Sequence, residues 1–306
     1  MPTLRNALLA FALACAAPAA AQQLADTAFN PPIARPAYAE GRGPVVLIDE
    51  AHNNFHTADG RYLAFARLLR RDGYVVRPNK APLTKAVLDG ARILVIANAL
   101  HERNREEWDL PNPSAFSAEE IIAIREWVAA GGSLLLIADH MPFPGAIDHL
   151  AAAFGVFFVN GFAQDSTRDD GTVVFHRSSG SLGSHAITNG RAAAERVDSV
   201  SSFTGSAFRT IVPVDTLMRL PPTTLVLMPN VAWQFSRLTP RLAGAGMLQG
   251  AVLTHGRGRV AVFGEAAMFS AQVAGPQRNP MGMNNPTAPQ NARFLLNVLH
   301  WLSGAL

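Results

Sequence analysis

Acids and histidines recur in this chain directly after short apolar runs. Asp49-Glu50-Ala51-His52 follows Val45-Val-Leu-Ile48, Asn98 and then His101 follow the run 91–97, Asp139-His140 follows 134–138, and Glu265 closely follows 259–263. A carboxyl group beside an imidazole can pass a proton as general acid or base, and the same pair can hold a polar ligand by hydrogen bonds. Asp139, His140, Glu50 and Glu265 are the candidates for acid–base work. Asp49, Glu50, His52, Asn98, His101, Asp139, His140 and Glu265 together are the candidates for ligand contact. His52 and His56 are spaced i, i+4, which on a helix places two imidazoles on one face; with Asp139 they are the candidate ligands of a divalent metal. The stretch reads His-Asn-Asn-Phe-His rather than HExxH, so no metal or other cofactor is assigned.

Several other chemistries are excluded. Asp49-Glu50-Ala51-His52 spells a magnesium-binding box of helicases, but such ATPases need an upstream glycine-rich loop ending in Lys-Ser/Thr, and the 48 residues before Asp49 contain no lysine. No Gly-x-Ser-x-Gly elbow for a serine nucleophile occurs. Gly244-Ala-Gly246 with Gly250 precedes a strand-like run instead of following one, which fits a turn better than a dinucleotide loop. The only cysteine is Cys15. The net charge is +3 and the basic residues are scattered, whereas a nucleic-acid groove clusters them; nucleic acid is therefore not an expected partner.

These residues need elements to place them. The runs 44–49, 91–97, 134–138 and 259–263 are predominantly apolar, the first a continuous apolar run ending in Asp49, as strands buried on both faces are. Between them lie helical stripes over 57–72 and 144–154, and a helix opened by Ser117 and Glu120 as a capping box and closed by Gly131-Gly132. Residues 290–302 read as a terminal amphipathic helix. The expected fold is α/β and flavodoxin-like: a mostly parallel sheet with helices on both faces, elaborated by a less regular region over 160–245. In such a sheet ligands bind beyond the carboxyl ends of the strands, so all eight residues should gather on one rim. Trp108, Phe116, Phe143 and Trp233 offer apolar faces for stacking. The long connections 98–116 and 275–289 read either as lids or as surface insertions. If the rim is a site, Asp139→Ala and His52→Ala should leave the fold nearly intact.

At the amino end, Arg5, an apolar stretch over 7–16 and Ala19-Ala20-Ala21 have the form of a secretory leader cleaved after Ala21, too short to span a bilayer. The expected organisation is a leader over 1–21, an extended lead-in over 22–43 and one domain over 44–306. The mature protein would be periplasmic or secreted, not inserted in a membrane, and free of cysteine. With 49% hydrophobic and 16% charged residues, the composition is that of a globular chain.

The order of the motifs resembles the class I glutamine amidotransferase-like superfamily, in an uncharacterised branch related to gliding-motility and intraflagellar-transport domains and to trehalose-utilisation-type proteins. The resemblance rests on Val45-Val-Leu-Ile-Asp-Glu-Ala-His-Asn53 with Gly60-Arg-Tyr62, on Trp127-Val-Ala-Ala-Gly-Gly-Ser-Leu-Leu-Leu-Ile-Ala-Asp139, and on His185-Ala-Ile-Thr-Asn-Gly190. Gly258-Arg-Val-Ala-Val-Phe-Gly-Glu265 and Gln290-Asn-Ala-Arg-Phe-Leu-Leu-Asn-Val-Leu-His-Trp301 complete it. It implies a flavodoxin-like sheet but not glutamine hydrolysis, because those enzymes place a cysteine on the turn that here reads Ala138-Asp139-His140-Met141. Two functions stay open: binding of a small polar ligand, such as a carbohydrate, at the rim, and hydrolysis by the Asp, Glu and His residues, with or without a divalent metal.

Overall fold

A computed structural model describes residues 23–168 and 170–306. Residues 1–22, with the expected leader, Cys15 and the cleavage point, and Asp169 lie outside the described residues. In chain order the first half holds β1 (Leu24–Ala25), β2 (Val45–Asp49), α1 (Leu63–Arg71), β3 (Val75–Asn79), α2 (Lys85–Leu88), β4 (Ile93–Ala97), α3 (Ala118–Ala129), β5 (Ser133–Ile137), α4 (Phe143–Ala146) and α5 (Asp148–Ala152). Then come β6 (Val156–Asp165), β7 (Val173–His176), α6 (Ala186–Asn189), β8 (Ser199–Ser202), β9 (Gly205–Thr210), β10 (Asp215–Arg219), β11 (Thr224–Leu227), β12 (Arg241–Ala243) and β13 (Leu248–His255). The chain closes with β14 (Gly258–Phe263), β15 (Ala271–Ala274), β16 (Asn279–Gly282) and α7 (Asn291–Ser303).

The expected flavodoxin-like, mostly parallel architecture is not what the chain forms. Sixteen strands are present among the described residues, helix accounts for only 21%, and the main sheet is mixed. Its order is β12-β11-β6-β9-β13-β14-β5-β4-β2-β3, with β10 also on β13. The five strands from β14 to β3 run parallel; the others are antiparallel. The region expected to be irregular therefore supplies half the sheet. Its strands are interrupted by Gly, Ser, Thr and charged residues and are buried unevenly, a weaker pattern than the apolar runs of the parallel half.

Burial explains why those apolar runs form strands. Val46 and Ile48 of β2 and Leu135 and Ile137 of β5 join one core with α1 and α7. Leu47, Leu134 and Leu136, pointing the other way, join a second core with α3 and α5. The capping box expected at Ser117 is present: Glu120 N–H donates to Ser117 Oγ at 3.2 Å, and Ser117 N–H donates to Glu120 Oε2 at 3.0 Å. The expected helix over 57–72 begins later, at Leu63, and the one over 144–154 breaks into α4 and α5. The lead-in is tied down, because β1 pairs with β15 in a small three-stranded sheet with β16.

Candidate functional site

β5 and β14 run in register, Ile137 opposite Phe263, so the turns after them bring Asp139 beside Glu265. Both carboxyl groups are buried, and backbone donors hold them. Asp139 Oδ1 accepts from His140 N–H at 2.8 Å; Glu265 accepts from Ala267 and Met268 N–H at 2.7 and 2.6 Å. Burial raises the Asp139 pKa, and the His140 charge and backbone donors offset this only in part. Burial, then the Asp139 charge, push Glu265 well above the usual carboxyl range. One proton retained by this pair relieves the repulsion between two buried like charges.

Asn98, just past β4, adopts φ +51°, a left-handed conformation that asparagine tolerates. There its Oδ1 accepts from Asp139 N–H at 2.8 Å and its Nδ2 donates to His56 Nδ1 at 3.2 Å. This assigns the His56 proton to Nε2, and that buried nitrogen has no hydrogen-bond partner. Burial foremost, then the Arg61 and His140 charges, hold the His56 pKa well below the imidazole range, so the ring is neutral. His140 donates from Nδ1 to Met141 O at 2.7 Å. Its ring stacks on Phe162 at 4.5 Å and meets Trp233 edge-on at 4.6 Å.

Asn98, Asp139, His140 and His56 line one cavity of about 1290 Å³, which Phe55, Trp108, Phe143 and Trp233 wall with aromatic surface. Residues from both long connections reach it, Trp108 from one and Gly275, Pro276, Arg278 and Met281 from the other, and Gln23 and Leu24 of the lead-in complete a side. Trp233 is 52% exposed and sits at φ +66°, a conformation that costs a bulky residue about 1–2 kcal/mol.

The other expected rim residues serve elsewhere. His52 Nδ1 lies 3.0 and 2.9 Å from the two Asp49 oxygens, and its Nε2 lies 3.0 Å from Glu120 Oε1. Asn54 Nδ2 adds a donor to Asp49 at 3.0 Å, and Leu83 N–H donates to Glu120 at 2.9 Å. This clasp joins the end of β2 to the start of α3. Burial alone would lower the His52 pKa, but Asp49 and then Glu120 outweigh it and raise it; both ring nitrogens donate, as an imidazolium. Phe116, expected as a stacking face for ligand, packs on His52 at 4.2 Å instead. Glu50 accepts from Ala58 N–H at 2.8 Å, and His101 accepts from Arg103 N–H at 3.1 Å. Both are loop ties. Residues 52–62 are not helical, so His52 and His56 share no helical face, and no group of three or more His, Cys, Asp or Glu among the described residues is arranged to hold a metal.

Three contributors to the site carried no sequence signal as such. Arg61 and Gln272 line the cavity, yet one reads as an ordinary charge before a helix and the other as a polar residue in a short strand. Glu120 reads as half of a capping box, and its second role depends on His52, 68 residues away.

The carboxyl pair sets a test by pH. A folded-state pKa above the unfolded value means stability is full below the unfolded pKa and falls as pH rises through the folded one. Asp139→Asn removes one of the two raised groups, so its stability should fall less than that of the wild type between about pH 4, the ordinary carboxyl range, and pH 7. Thermal melts of both proteins across that window measure the difference; parallel curves would show that Asp139 does not titrate against Glu265.

No family model matches the chain, and no curated protein sequence does either. Solved structures do match. A ThuA-like protein from Bacteroides uniformis superposes with a TM-score of 0.50 at 13% identity, covering 87% of this chain and 93% of that one. The chain shares a ThuA-like fold. ThuA-like proteins are members of the class I glutamine amidotransferase-like fold. A cytoplasmic protein from Salmonella typhimurium gives the same TM-score, 0.50, at 14% identity over 85% of this chain and 99% of that one. The mmIFT52 N-terminal domain gives 0.58 at 14% identity over 84% and 96%. At these identities the likeness concerns the fold alone.

Proposed function

We propose that this chain is an exported protein that binds a small polar ligand, a carbohydrate, in the cavity at the rim of the sheet. The observation that carries the proposal is the pairing of aromatic walls with inward polar groups. Trp108, Trp233, Phe55 and Phe143 flank Asp139, His140, Asn98 and His56. A sugar ring has an apolar face and a hydroxyl edge, and sites for such ligands combine apolar lining with a few placed polar groups. Export is supported by Arg5, the apolar stretch and Ala19-Ala20-Ala21; an intact mass starting at Gln22 is expected, and a start at Met1 would refute it.

Binding is tested by calorimetric titration with a panel of mono- and disaccharides. Saturable binding is expected, weakened by roughly tenfold in Trp233→Ala, because a lost aromatic face removes about 1 kcal/mol or more. No heat of binding from any sugar would refute the proposal. One observation favours a second reading, hydrolysis: Asp139, with its raised pKa, and the imidazole of His140 border the same cavity. Cleavage of a bound sugar derivative, lost in Asp139→Asn, would select it.

A further inference from the structure

We infer that the ligand of this cavity carries a carboxylate, received by Arg61 and His56, which makes the ligand class a sugar acid. The inference rests on the carbohydrate reading and adds the charge of the ligand to it. Arg61 lines the cavity with its guanidinium 3.6 Å over the Phe55 ring. One nitrogen, Nη1, donates to Phe55 O at 3.3 Å. Nε is buried with no partner, and Arg61 takes part in none of the ion pairs among the described residues.

A partly buried guanidinium normally finds a carboxylate, because its desolvation is otherwise uncompensated. Here burial lowers the Arg61 pKa and no acid offsets it. The neighbouring His56, 2% exposed, adds a second unsatisfied donor, the Nε2–H whose tautomer Asn98 fixes. Two residues with an orphaned donor thus line one cavity.

The shape of the Arg61 head group selects a carboxylate. His56 is neutral, and Asp139 and Glu265 between them favour holding a proton. Arg278 also borders the cavity, but it is exposed to solvent. Arg61 has no ion-pair partner among the described residues, and a guanidinium fork matches a planar carboxylate. A neutral sugar would leave that guanidinium without an ion pair.

The test compares glucuronate and galacturonate with their amides and with glucose and galactose by titration calorimetry, on the full chain. Each acid should bind roughly tenfold to hundredfold tighter than its isosteric amide, the range for hydrogen bonds to charged groups. In Arg61→Gln that gap should close. Amide and acid of equal affinity in the wild type would overturn the inference and leave the carbohydrate reading in place. Absence of binding by all six probes would overturn both. The wild-type comparison stands even if Arg61→Gln fails to fold, and an acid preference that persists in a folded Arg61→Gln would also overturn it.

Discussion

His52→Ala should cost about 3 kcal/mol of folding stability, the lower end of the range for removing one partner of a buried ion pair. Asp49 is fully buried, and without the imidazolium it keeps only the Asn54 donor and a 3.3 Å contact from Ala51 N–H. Urea unfolding at pH 6 measures the loss; a change under about 1 kcal/mol would show the clasp to be incidental. The loss should depend on pH with a definite sign. His52 has a raised pKa, so its contribution is full below the ordinary imidazole value of about 6.5 and disappears as pH rises through the folded value. For Glu120, burial works against ionisation, but the Leu83 and Ser117 N–H donors and His52 lower its pKa overall, so its share is lost as pH falls through that lowered value. The gap between wild type and variant should therefore be widest from about pH 5 to 6.5 and narrow toward alkaline pH.

The same clasp shows where sequence reasoning went astray. The acid–histidine pattern after β2 looks the same whether its residues face a ligand or each other. The pairing of His52 with Glu120 depends on how α3 packs, which no local pattern encodes. Asp139, His140 and Asn98 were legible as cavity residues because strand direction alone puts them past β5 and β4. His56 was legible as chemistry but misplaced on a helix that starts seven residues later. In the fold, β2, β4, β5 and β14 were readable because strands buried on both faces need unbroken apolar runs. The antiparallel half was not, since its strands follow pairing partners far along the chain: β6 pairs with β9 and β11.

Gly258→Ala should be as damaging, at about 3 kcal/mol, the upper end of what overpacking costs. A Cβ there would lie 2.1 Å from Val128 O and 2.2 Å from Gly132 O. Both atoms are backbone, so neither can swing aside as a side chain would. The close approach seats the start of β14 against the end of α3, and it thereby helps to set the register that puts Glu265 beside Asp139. Gly246→Ala is the control: nothing lies within 4 Å of its Cβ, although φ is +76°, so the backbone penalty of about 1 kcal/mol is all it should show. Chemical unfolding of both variants separates crowding from backbone strain, and equal losses would contradict the crowding account.

The position of β13 and β14 in the sheet has a consequence for synthesis on the ribosome. This hairpin joins the parallel strands to the antiparallel ones, yet it lies more than a hundred residues after β5, the strand that β14 pairs with. At typical elongation rates the open edge of β5 waits on the order of ten seconds for its neighbour. During that wait two partial sheets with exposed edges coexist in one nascent chain, a state prone to pairing with other chains. The edge of β5 is also where Asp139 follows, so the emerging polypeptide acquires its carboxyl pair only when the last third has been translated. Slower translation over 138–257 should lengthen that exposure and lower the yield of folded protein.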